Sequence, residues 1–392
     1  MGEEPRRRGG NQERLFDCCW VMIVGTLCCW PSCVREGSAA RVGYRGSRLQ
    51  ASKAQCSFLR CWDPLQSWGI VDKLMRLALL LLVLLACCVL LGPVVVPIAE
   101  VRGTLPVEQL ADPDSLFTDV GGLDVHYKVV DGDGRTIVLL HGFAASVFSW
   151  RKVMSPLEEM GNVVAFDRPA FGLTERPMPG EWQIENPYSP EAQAKLTVAL
   201  MDELGVEKAV LVGHSAGGSI ALLTALTHPD RVEALVLEDA SVYENSGIPE
   251  WMRPLLRTPP MDRIGPLFVR TITIWGEAAI RTAWDDPDKI TLELISGYKK
   301  PLQAENWDKA LWQLVLASHP LDLEERLTEV SVPTLVITGE RDRIVAARNS
   351  ERVAGELPGS RLVVIPDCGH VPHEECPDVF LQSVTDFLAE LP

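Results

Sequence analysis

The sequence predicts an α/β fold, with a mostly parallel central sheet flanked by helices and a helical cap inserted after the sixth strand. Three observations predict it. From about residue 112 onward, short apolar runs alternate with helical stretches, a pattern typical of a mostly parallel sheet. A Gly-x-Ser-x-Gly segment directly follows one apolar run and precedes a helical stretch. A long interval without a convincing strand interrupts the alternation after residue 239.

The apolar runs are short and nearly continuous, as expected of strands that are buried on both faces. The first two flank Gly121 and Gly122 and are predicted to form a hairpin. The predicted strands cover residues 116–120, 123–130, 136–140, 163–166, 209–212, 234–237, 333–338 and 361–365. The clearest helical stretches cover residues 190–204, 216–228 and 378–391. We therefore predict one α/β domain over residues 112–392.

The interval between residues 239 and 330 is too long to be a loop. It covers about 90 residues, and a structureless loop of that length is improbable in a compact domain. It is rich in leucine and tryptophan, including Trp251, Trp275, Trp307 and Trp312. We interpret it as a helical cap, at about residues 241–330, inserted between two strands of the core.

Charge and cysteine content divide the chain. Residues 1–76 have a net charge of +5 and residues 77–392 a net charge of −21. An acidic domain lacks the basic surface that nucleic acids or anionic lipids require, so we predict no nucleic-acid partner and a neutral or cationic substrate. Nine of the 11 cysteines precede residue 90, which excludes a disulfide framework for the domain. No Cys/His spacing is typical of zinc, and we predict neither a metal nor a cofactor.

A run of 23 residues without charge begins at Leu77 and ends at Ala99. A helix needs ~20 such residues to cross a bilayer. Lys73 and Arg76 precede the run, so the positive-inside rule would keep the N-terminus cytoplasmic. The run therefore predicts a single-pass membrane protein whose α/β domain lies on the non-cytoplasmic side.

A second interpretation of the same region remains open. An apolar run that closely follows Met75 is also typical of a signal peptide, whose cleavage would leave the protein secreted. In either case we expect residues 1–74 to be a poorly structured leader. Residues 75–99 are then a transmembrane anchor or a signal segment.

The segment Gly213-His214-Ser215-Ala216-Gly217 predicts a catalytic nucleophile. It lies between a predicted strand and a predicted helix, and a sharp turn there exposes the serine Oγ above the sheet. The small residues on both sides relieve the crowding that such a turn creates. We predict that Ser215 is the nucleophile of an acyl-transfer reaction.

A serine nucleophile needs a base, and the base needs a carboxylate that orients it. In sites of this strand–turn–helix type the three follow in the order serine, acid, histidine. His370 follows the last predicted strand and Asp342 follows the strand before it, so we predict that they are the base and the acid. Asp239, at the end of an earlier strand, remains an alternative acid. His373 lies near the base but lacks the preceding glycine.

The oxyanion of a tetrahedral intermediate needs two N–H donors. One donor usually belongs to the residue after the nucleophile, and the other to a loop after an early strand. His141-Gly142-Phe143 is such a loop, because it follows the strand predicted at residues 136–140. We predict that the backbone N–H groups of Phe143 and Ala216 form the oxyanion hole.

Together these motifs resemble the α/β-hydrolase superfamily over residues 116–391, in particular its capped branch. That branch includes esterases, lipases, haloperoxidase-like enzymes, carbon–carbon hydrolases, epoxide hydrolases and haloalkane dehalogenases. The resemblance also rests on Asp167-Arg168-Pro169-Ala170-Phe171-Gly172 and on Gly369-His370-Val371-Pro372 with Glu375 and Pro377, which stand in the order typical of the branch. Epoxide hydrolases and dehalogenases have aspartate in place of Ser215, which argues against both activities. Trp275 and Tyr298 nevertheless resemble lid residues of those enzymes.

The resemblance implies a serine esterase or lipase that cleaves carboxylic ester or related acyl bonds. Carbon–carbon hydrolysis, perhydrolysis and acyl transfer use the same triad and remain alternatives. A catalytically silent binding protein is a further alternative, although no member of the triad is missing. The cap suggests a small apolar ester or acyl substrate, and we predict that Trp251, Trp275 and Tyr298 contact it.

Overall fold

The computed structural model describes residues 64–95, 98–182, 185–243 and 248–391. The chain divides into two compact units, Met1–Gly69 and Ile70–Pro392. Of the predicted leader, residues 1–63 lie outside the described residues. Residues 64–74 belong to the first helix that the structure describes.

That first helix, α1, covers Pro64–Val95 and contains most of the apolar run interpreted above as a membrane segment. Within the described ranges, no helix has the length and hydropathy needed to span a bilayer. The helix begins before the run, carries an ion pair between Asp72 and Arg76, and ends at Val95 before the run does. Apolar composition alone therefore did not indicate where the helix begins and ends. The prediction of a single-pass protein anchored through residues 77–99, with its α/β domain on the non-cytoplasmic side, is wrong.

The centre of the second unit is a twisted sheet. Its strands are β1 Leu116–Asp119, β2 Asp124–Val130, β3 Arg135–Leu140, β4 Gly161–Phe166, β5 Ala209–His214, β6 Val232–Glu238, β7 Thr334–Gly339 and β8 Arg361–Ile365. They lie in the order β1-β2-β4-β3-β5-β6-β7-β8. Strand β2 pairs antiparallel with β1 and β4, whereas the other neighbouring pairs are parallel. The predicted mostly parallel sheet is confirmed.

Helices cover both faces of the sheet and follow its strands along the chain. Beyond α1 they are α2 Met154–Leu157, α3 Pro190–Glu203, α4 Ala216–Thr227, α5 Arg253–Leu256, α6 Pro259–Val269, α7 Ile272–Ala283, α8 Leu292–Lys299, α9 Trp307–Ala317, α10 Ala347–Glu356, α11 Pro372–Glu375 and α12 Pro377–Glu390. Short 3-10 turns connect several of them, including Lys300–Gln303 and Leu323–Glu329.

The alternation of side chains along each strand divides the core between the two faces. In β3, Val138 and Leu140 pack on one face with residues of α3, α4 and α10. Ile137 and Leu139 pack on the other face with Trp150 and residues of α2 and α12. Because both faces are covered, the strands can be apolar along their whole length.

The cap consists of α5 to α9 and lies between β6 and β7, as predicted. Its longest buried element, α9, packs Trp307 and Leu311 against Phe171, a residue of the loop after β4, and against Ile272 of α7. The cap is thus built around an apolar contact with the loops at the carboxyl edge of the sheet.

The linker before β1 also holds the cap. The backbone of Leu105 forms a short parallel bridge with Ala304, and its N–H donates to Gln303 O over 2.8 Å. Lys300 of the same cap turn pairs with Asp112. These contacts attach the 3-10 turn Lys300–Gln303 to the core, and this turn borders the cavity described below.

Candidate active site

Ser215 lies at the sharp turn between β5 and α4 with φ 51° and ψ −121°. Positive φ is uncommon for a residue with a side chain, and such strain costs on the order of 1–3 kcal/mol. The backbone N–H of Ser215 donates to Glu238 O over 2.9 Å, which ties the turn to the end of β6. The Oγ lies 3.4 Å from Ser241 Oγ. The turn is held in place by the neighbouring strand.

Glycines allow the chain to turn this tightly. A Cβ at Gly213 would lie 2.6 Å from the Cα of Gly218, and a Cβ at Gly217 would collide with the carbonyl oxygen of Leu140. Any side chain at either position would push the first turn of α4 away from the sheet. The Gly-x-Ser-x-Gly pattern is therefore required by close backbone approach.

His370 and Asp342 form a buried hydrogen-bonded pair. His370 Nδ1 lies 2.6 Å from Asp342 Oδ2. The other carboxylate oxygen, Oδ1, accepts the N–H groups of Ile344 at 2.7 Å and Val345 at 3.0 Å. Since both oxygens are engaged, the carboxylate cannot rotate away from the imidazole. Ser215 and His370 line the same cavity.

The alternative acid, Asp239, is placed differently. It follows β6 with φ 44°, is fully buried, and accepts a hydrogen bond from Thr338 Oγ1 at 2.6 Å. Burial, and then the charge of Asp342, raise the pKa of Asp239 well above its ordinary value. Of the two candidate acids, Asp342 is the one hydrogen-bonded to His370.

The other histidines near the site have structural partners. His373 is fully buried, and both its backbone N–H and its Nδ1 lie 2.8 Å from Glu238 Oε1. His141 Nε2 accepts the N–H of Arg168, and burial lowers the pKa of His141 to about 3. Burial and the adjacent histidines lower the pKa of His214 well below its ordinary value. These three rings are buried parts of the framework around the turn.

The loop predicted to supply an oxyanion donor packs directly on the turn. A Cβ at Gly142 would lie 2.6 Å from His214 Nδ1 and 3.3 Å from Ser215 Cβ. The amides of Phe143 and Ala216 have no hydrogen-bond acceptor among the described residues, so both are free for a ligand. The phenyl ring of Phe143 is half-exposed and packs edge-to-face on Phe171, with ring centroids 5.5 Å apart.

The sequence analysis assigned no role to Arg168, which holds this loop in place. It is buried, and it donates from Nε to His141 O at 2.9 Å and from Nη1 to Gln193 Oε1 at 2.9 Å. The preceding Asp167 accepts N–H groups from Val147 and Leu173. The motif that begins at Asp167 was recognised in the sequence. Its charged residues were the signal from which this structural role could have been predicted.

A cavity of about 500 Å³ opens beside Ser215 and His370, between the core and the cap. Its wall is mainly apolar. The cap contributes residues from α7, α8, α9 and the turn after α8, and the core contributes residues from the loops after β3, β4 and β8. Such a volume is typical of sites that enclose a small ligand.

The predicted cap contacts divide into two groups. Trp275 and Tyr298 line the cavity. The Tyr298 hydroxyl donates to the buried Glu374, so its ring faces the cavity while its polar end is occupied. Trp251 does not line the cavity and is 75% exposed. The periodicity of the sequence could not show which of these side chains line the cavity, because each of them lies in an amphipathic or a short helical segment.

The loop that carries His370 is held at both ends. Cys368 and Cys376 form a disulfide across it. Glu375 Oε2 accepts the N–H of Gly369 at 2.8 Å, and the same carboxylate accepts two N–H groups of the cap loop at Asp285 and Asp286. The sequence analysis missed this bridge. The signal was that these are the only two cysteines after residue 90 and lie eight residues apart.

Comparisons with known proteins agree with this architecture. A family model described as "Alpha/beta hydrolase family" matches residues 137–383. The uncharacterized hydrolase YugF of Bacillus subtilis strain 168 is 33% identical over 290 residues, which cover 71% of this chain and 99% of YugF. A 2-hydroxy-6-oxononadienedioate/2-hydroxy-6-oxononatrienedioate hydrolase of Comamonas testosteroni is 29% identical, with 66% of this chain and 89% of the relative covered. A thermophilic esterase structure from Thermogutta terrifontis has a TM-score of 0.59 at 26% identity, covering 71% of this chain and 98% of the esterase.

The disulfide should contribute measurably to stability. Replacing Cys368 and Cys376 together with alanine should lower the free energy of unfolding by about 2.5 kcal/mol, because the bridge closes a loop in the unfolded chain. Dithiothreitol should lower the melting temperature of the wild type and leave the double variant unaffected. Replacing the exposed Cys87 and Cys88 with serine is the matched control and should change neither value. A wild-type melting temperature insensitive to dithiothreitol would contradict this assignment.

Proposed function

The chain belongs to the alpha/beta hydrolase family, and on that premise we propose that it is a serine hydrolase that cleaves carboxylic ester or related acyl bonds through an acyl-enzyme on Ser215. The observation that supports the proposal most directly is the arrangement at the cavity mouth. A serine with a strained backbone and a histidine bonded to a carboxylate line one mainly apolar cavity. This arrangement has the parts that nucleophilic catalysis at an acyl carbon requires.

In the first half of the reaction, Ser215 Oγ attacks the substrate carbonyl carbon and His370 Nε2 accepts the hydroxyl proton. Asp342, already bonded to His370 Nδ1, stabilises the imidazolium that forms. The carbonyl oxygen becomes an oxyanion, to which the N–H groups of Phe143 and Ala216 donate. The intermediate collapses when His370 returns the proton to the leaving alcohol, and the acyl group remains on Ser215.

In the second half, a water molecule takes the place of the alcohol. His370 accepts a proton from it while its oxygen attacks the acyl carbon, and the same amides hold the second oxyanion. Collapse returns the proton to Ser215 Oγ and releases the carboxylic acid. The pair His370–Asp342 therefore acts first as base and then as acid in each half.

The cavity supports a neutral, apolar acyl or aromatic substrate. Its two basic lining residues are already engaged. Arg176 is buried and donates to the backbone carbonyls of Gly172 and Thr174, and Lys299 pairs with Glu277. A carboxylate group on the substrate would have to compete with Glu277 for Lys299 and with two backbone carbonyls for the buried Arg176.

Carbon–carbon hydrolysis is the second candidate, because the name of the Comamonas relative describes a hydrolase of dienedioates and trienedioates. Those names denote dicarboxylates, for which the engaged basic residues of this cavity are poorly suited. The name of the Thermogutta structure, an esterase, favours the ester reaction. A screen of p-nitrophenyl esters of graded chain length tests the proposal, and hydrolysis of none of them would contradict it.

Replacing Ser215 with alanine should abolish labelling by a fluorophosphonate probe and lower ester turnover by about 10⁶-fold, because the nucleophile is lost. His370→Ala should be nearly as damaging, since the residues act as a unit. Ser241→Ala is the matched control, because Ser241 is the hydroxyl nearest to Ser215 Oγ, and it should keep its labelling. Labelling that survives in Ser215→Ala would place the nucleophile elsewhere, and would also revive the binding-protein alternative if turnover were absent throughout.

Asp342→Asn should lower kcat by about 10⁴-fold, because an amide cannot stabilise the imidazolium and favours the wrong ring tautomer. Steady-state hydrolysis of the best p-nitrophenyl ester measures the effect. Asp367→Asn provides the control: Asp367 lies on the loop of His370 but is exposed and pairs with Arg341. Equal losses in both variants would show that the effect of Asp342→Asn arises from the loop and not from the triad.

The cap should set chain-length preference. Trp275 lines the cavity and is half-exposed, so Trp275→Ala should enlarge the pocket and move the ester chain-length optimum upward with little loss of stability. Trp251→Ala removes an equal side chain outside the cavity and should leave the profile unchanged. The ester profile and the melting temperature are measured on the same variants. A lower melting temperature with an unaltered profile in Trp275→Ala would mean that the side chain only stabilises the cap.

A further inference from the structure

Asp239 is held rigidly beside the candidate triad. Its backbone N–H donates to Ile337 O at 2.9 Å, and Thr338 Oγ1 donates to its Oδ1 at 2.6 Å. One oxygen of Asp239, one oxygen of Asp342 and one ring nitrogen of His370 lie within 4.8 Å of one another. The left-handed φ of 44° at a non-glycine residue shows that surrounding contacts enforce this position.

The second carboxyl oxygen of Asp239, Oδ2, has no hydrogen-bond partner among the described residues and is inaccessible to solvent. An ionised carboxylate with an unpartnered oxygen, placed next to the charged Asp342, would be strongly unfavourable in the interior. The raised pKa of Asp239 follows from the same burial and the same neighbour. Burial and the neighbouring carboxylate both favour the protonated form of Asp239.

Geometry indicates where that proton lies. Oδ1 already accepts from Thr338, which leaves Oδ2 as the protonated oxygen. The ionisable groups that face Asp239 are Asp342, His370 and Glu238. An oxygen of Asp342 lies within 4.8 Å of an oxygen of Asp239, whereas the Glu238 carboxylate is bound through Oε1 to the backbone N–H and the ring of His373, so we take Asp342 as the acceptor.

Asp342 has one acceptor position left for it. A carboxylate offers about four lone-pair positions. Two on Oδ1 are taken by the N–H groups of Ile344 and Val345, and one on Oδ2 is taken by His370. The fourth is on Oδ2, the oxygen that binds the histidine.

We propose that Asp239 is a positioning residue of the triad, a neutral carboxylic acid that donates the fourth hydrogen bond to the Asp342 carboxylate. This inference rests on the proposed function of Ser215, His370 and Asp342. The extra donor draws negative charge away from His370, so that the imidazolium is stabilised less and the neutral base persists to lower pH. Asp239 acts through Asp342 and does not contact the substrate.

The pH dependence of kcat/KM for ester hydrolysis tests the inference with two variants. Asp239→Asn keeps an N–H donor for Asp342 and an acceptor for Thr338, so its acid limb should coincide with that of the wild type. Asp239→Ala removes the donor and concentrates the charge of Asp342 beside His370. Its acid limb should move to higher pH by on the order of half to one pH unit. The conservative variant thus restores what the truncation loses.

Two results would overturn the inference. If Asp239 were ionised, both variants would remove a negative charge near His370, and both acid limbs would move to lower pH. If Asp239 were only structural, neither limb would move, although the melting temperature of Asp239→Ala would fall. Failure of the proposed function would appear separately, as a wild-type protein that hydrolyses no ester and is not labelled at Ser215.

A second measurement needs no activity. A carboxyl group whose pKa is raised in the folded state contributes stability that is fully present below its unfolded pKa and is lost as pH rises through the folded pKa. The melting temperature of the wild type should therefore fall relative to that of Asp239→Asn as pH rises from about 4 to 8. A difference between the two proteins that is constant over this range would show that Asp239 is ionised throughout, and the inference would be wrong.

Discussion

The strained backbone of Ser215 is the constraint on which the rest of the site depends. A residue with positive φ at the end of β5 can persist only if neighbouring contacts hold it, and here they come from three directions. Glu238 O accepts its N–H, the glycines on either side permit close approach of α4, and the loop at Gly142 packs against its Cβ. The amides of Phe143 and Ala216, which we propose as oxyanion donors, belong to the residues that close around this turn.

His370, the proposed base, is positioned by the cap as well as by the core. The N–H of His370 donates to Ala283 O at the end of α7, and the Glu375 carboxylate binds amides on both its own loop and the cap loop. The end of the cap near α7 is therefore part of the catalytic framework. A motion of the cap as one rigid lid would break these bonds.

The fold could be predicted from the sequence because its signals are local: buried strands are apolar runs, and the Gly-x-Ser-x-Gly turn is a pentapeptide between a strand and a helix. The choice between Asp239 and Asp342 as the acid could not be made from local sequence. Both follow neighbouring parallel strands and so end at the same edge of the sheet, and only the hydrogen bond to His370 distinguishes them. The environment of the cap tryptophans could not be predicted for a similar reason. Composition does not show which side of a short helix packs against the core. The prediction of a membrane helix from the apolar run was wrong because composition does not determine where a helix begins and ends. Helix α1 begins before the run and ends before the run does.

Several of the ionisable groups near the turn at Ser215 have pKa values shifted toward their neutral forms. Burial lowers the pKa values of His141 and His214 and raises the pKa of Asp239, so that burial favours the neutral form of all three groups. In a poorly polarisable interior each additional charge would weaken or compete with the interaction of Asp342 with the imidazolium. In the proposed reaction, Asp342 is the carboxylate hydrogen-bonded to the ring of His370 on which positive charge would develop. His141, His214 and Asp239 are not members of the proposed triad. In their neutral forms they would add no charge that competes with the interaction of Asp342 with the imidazolium.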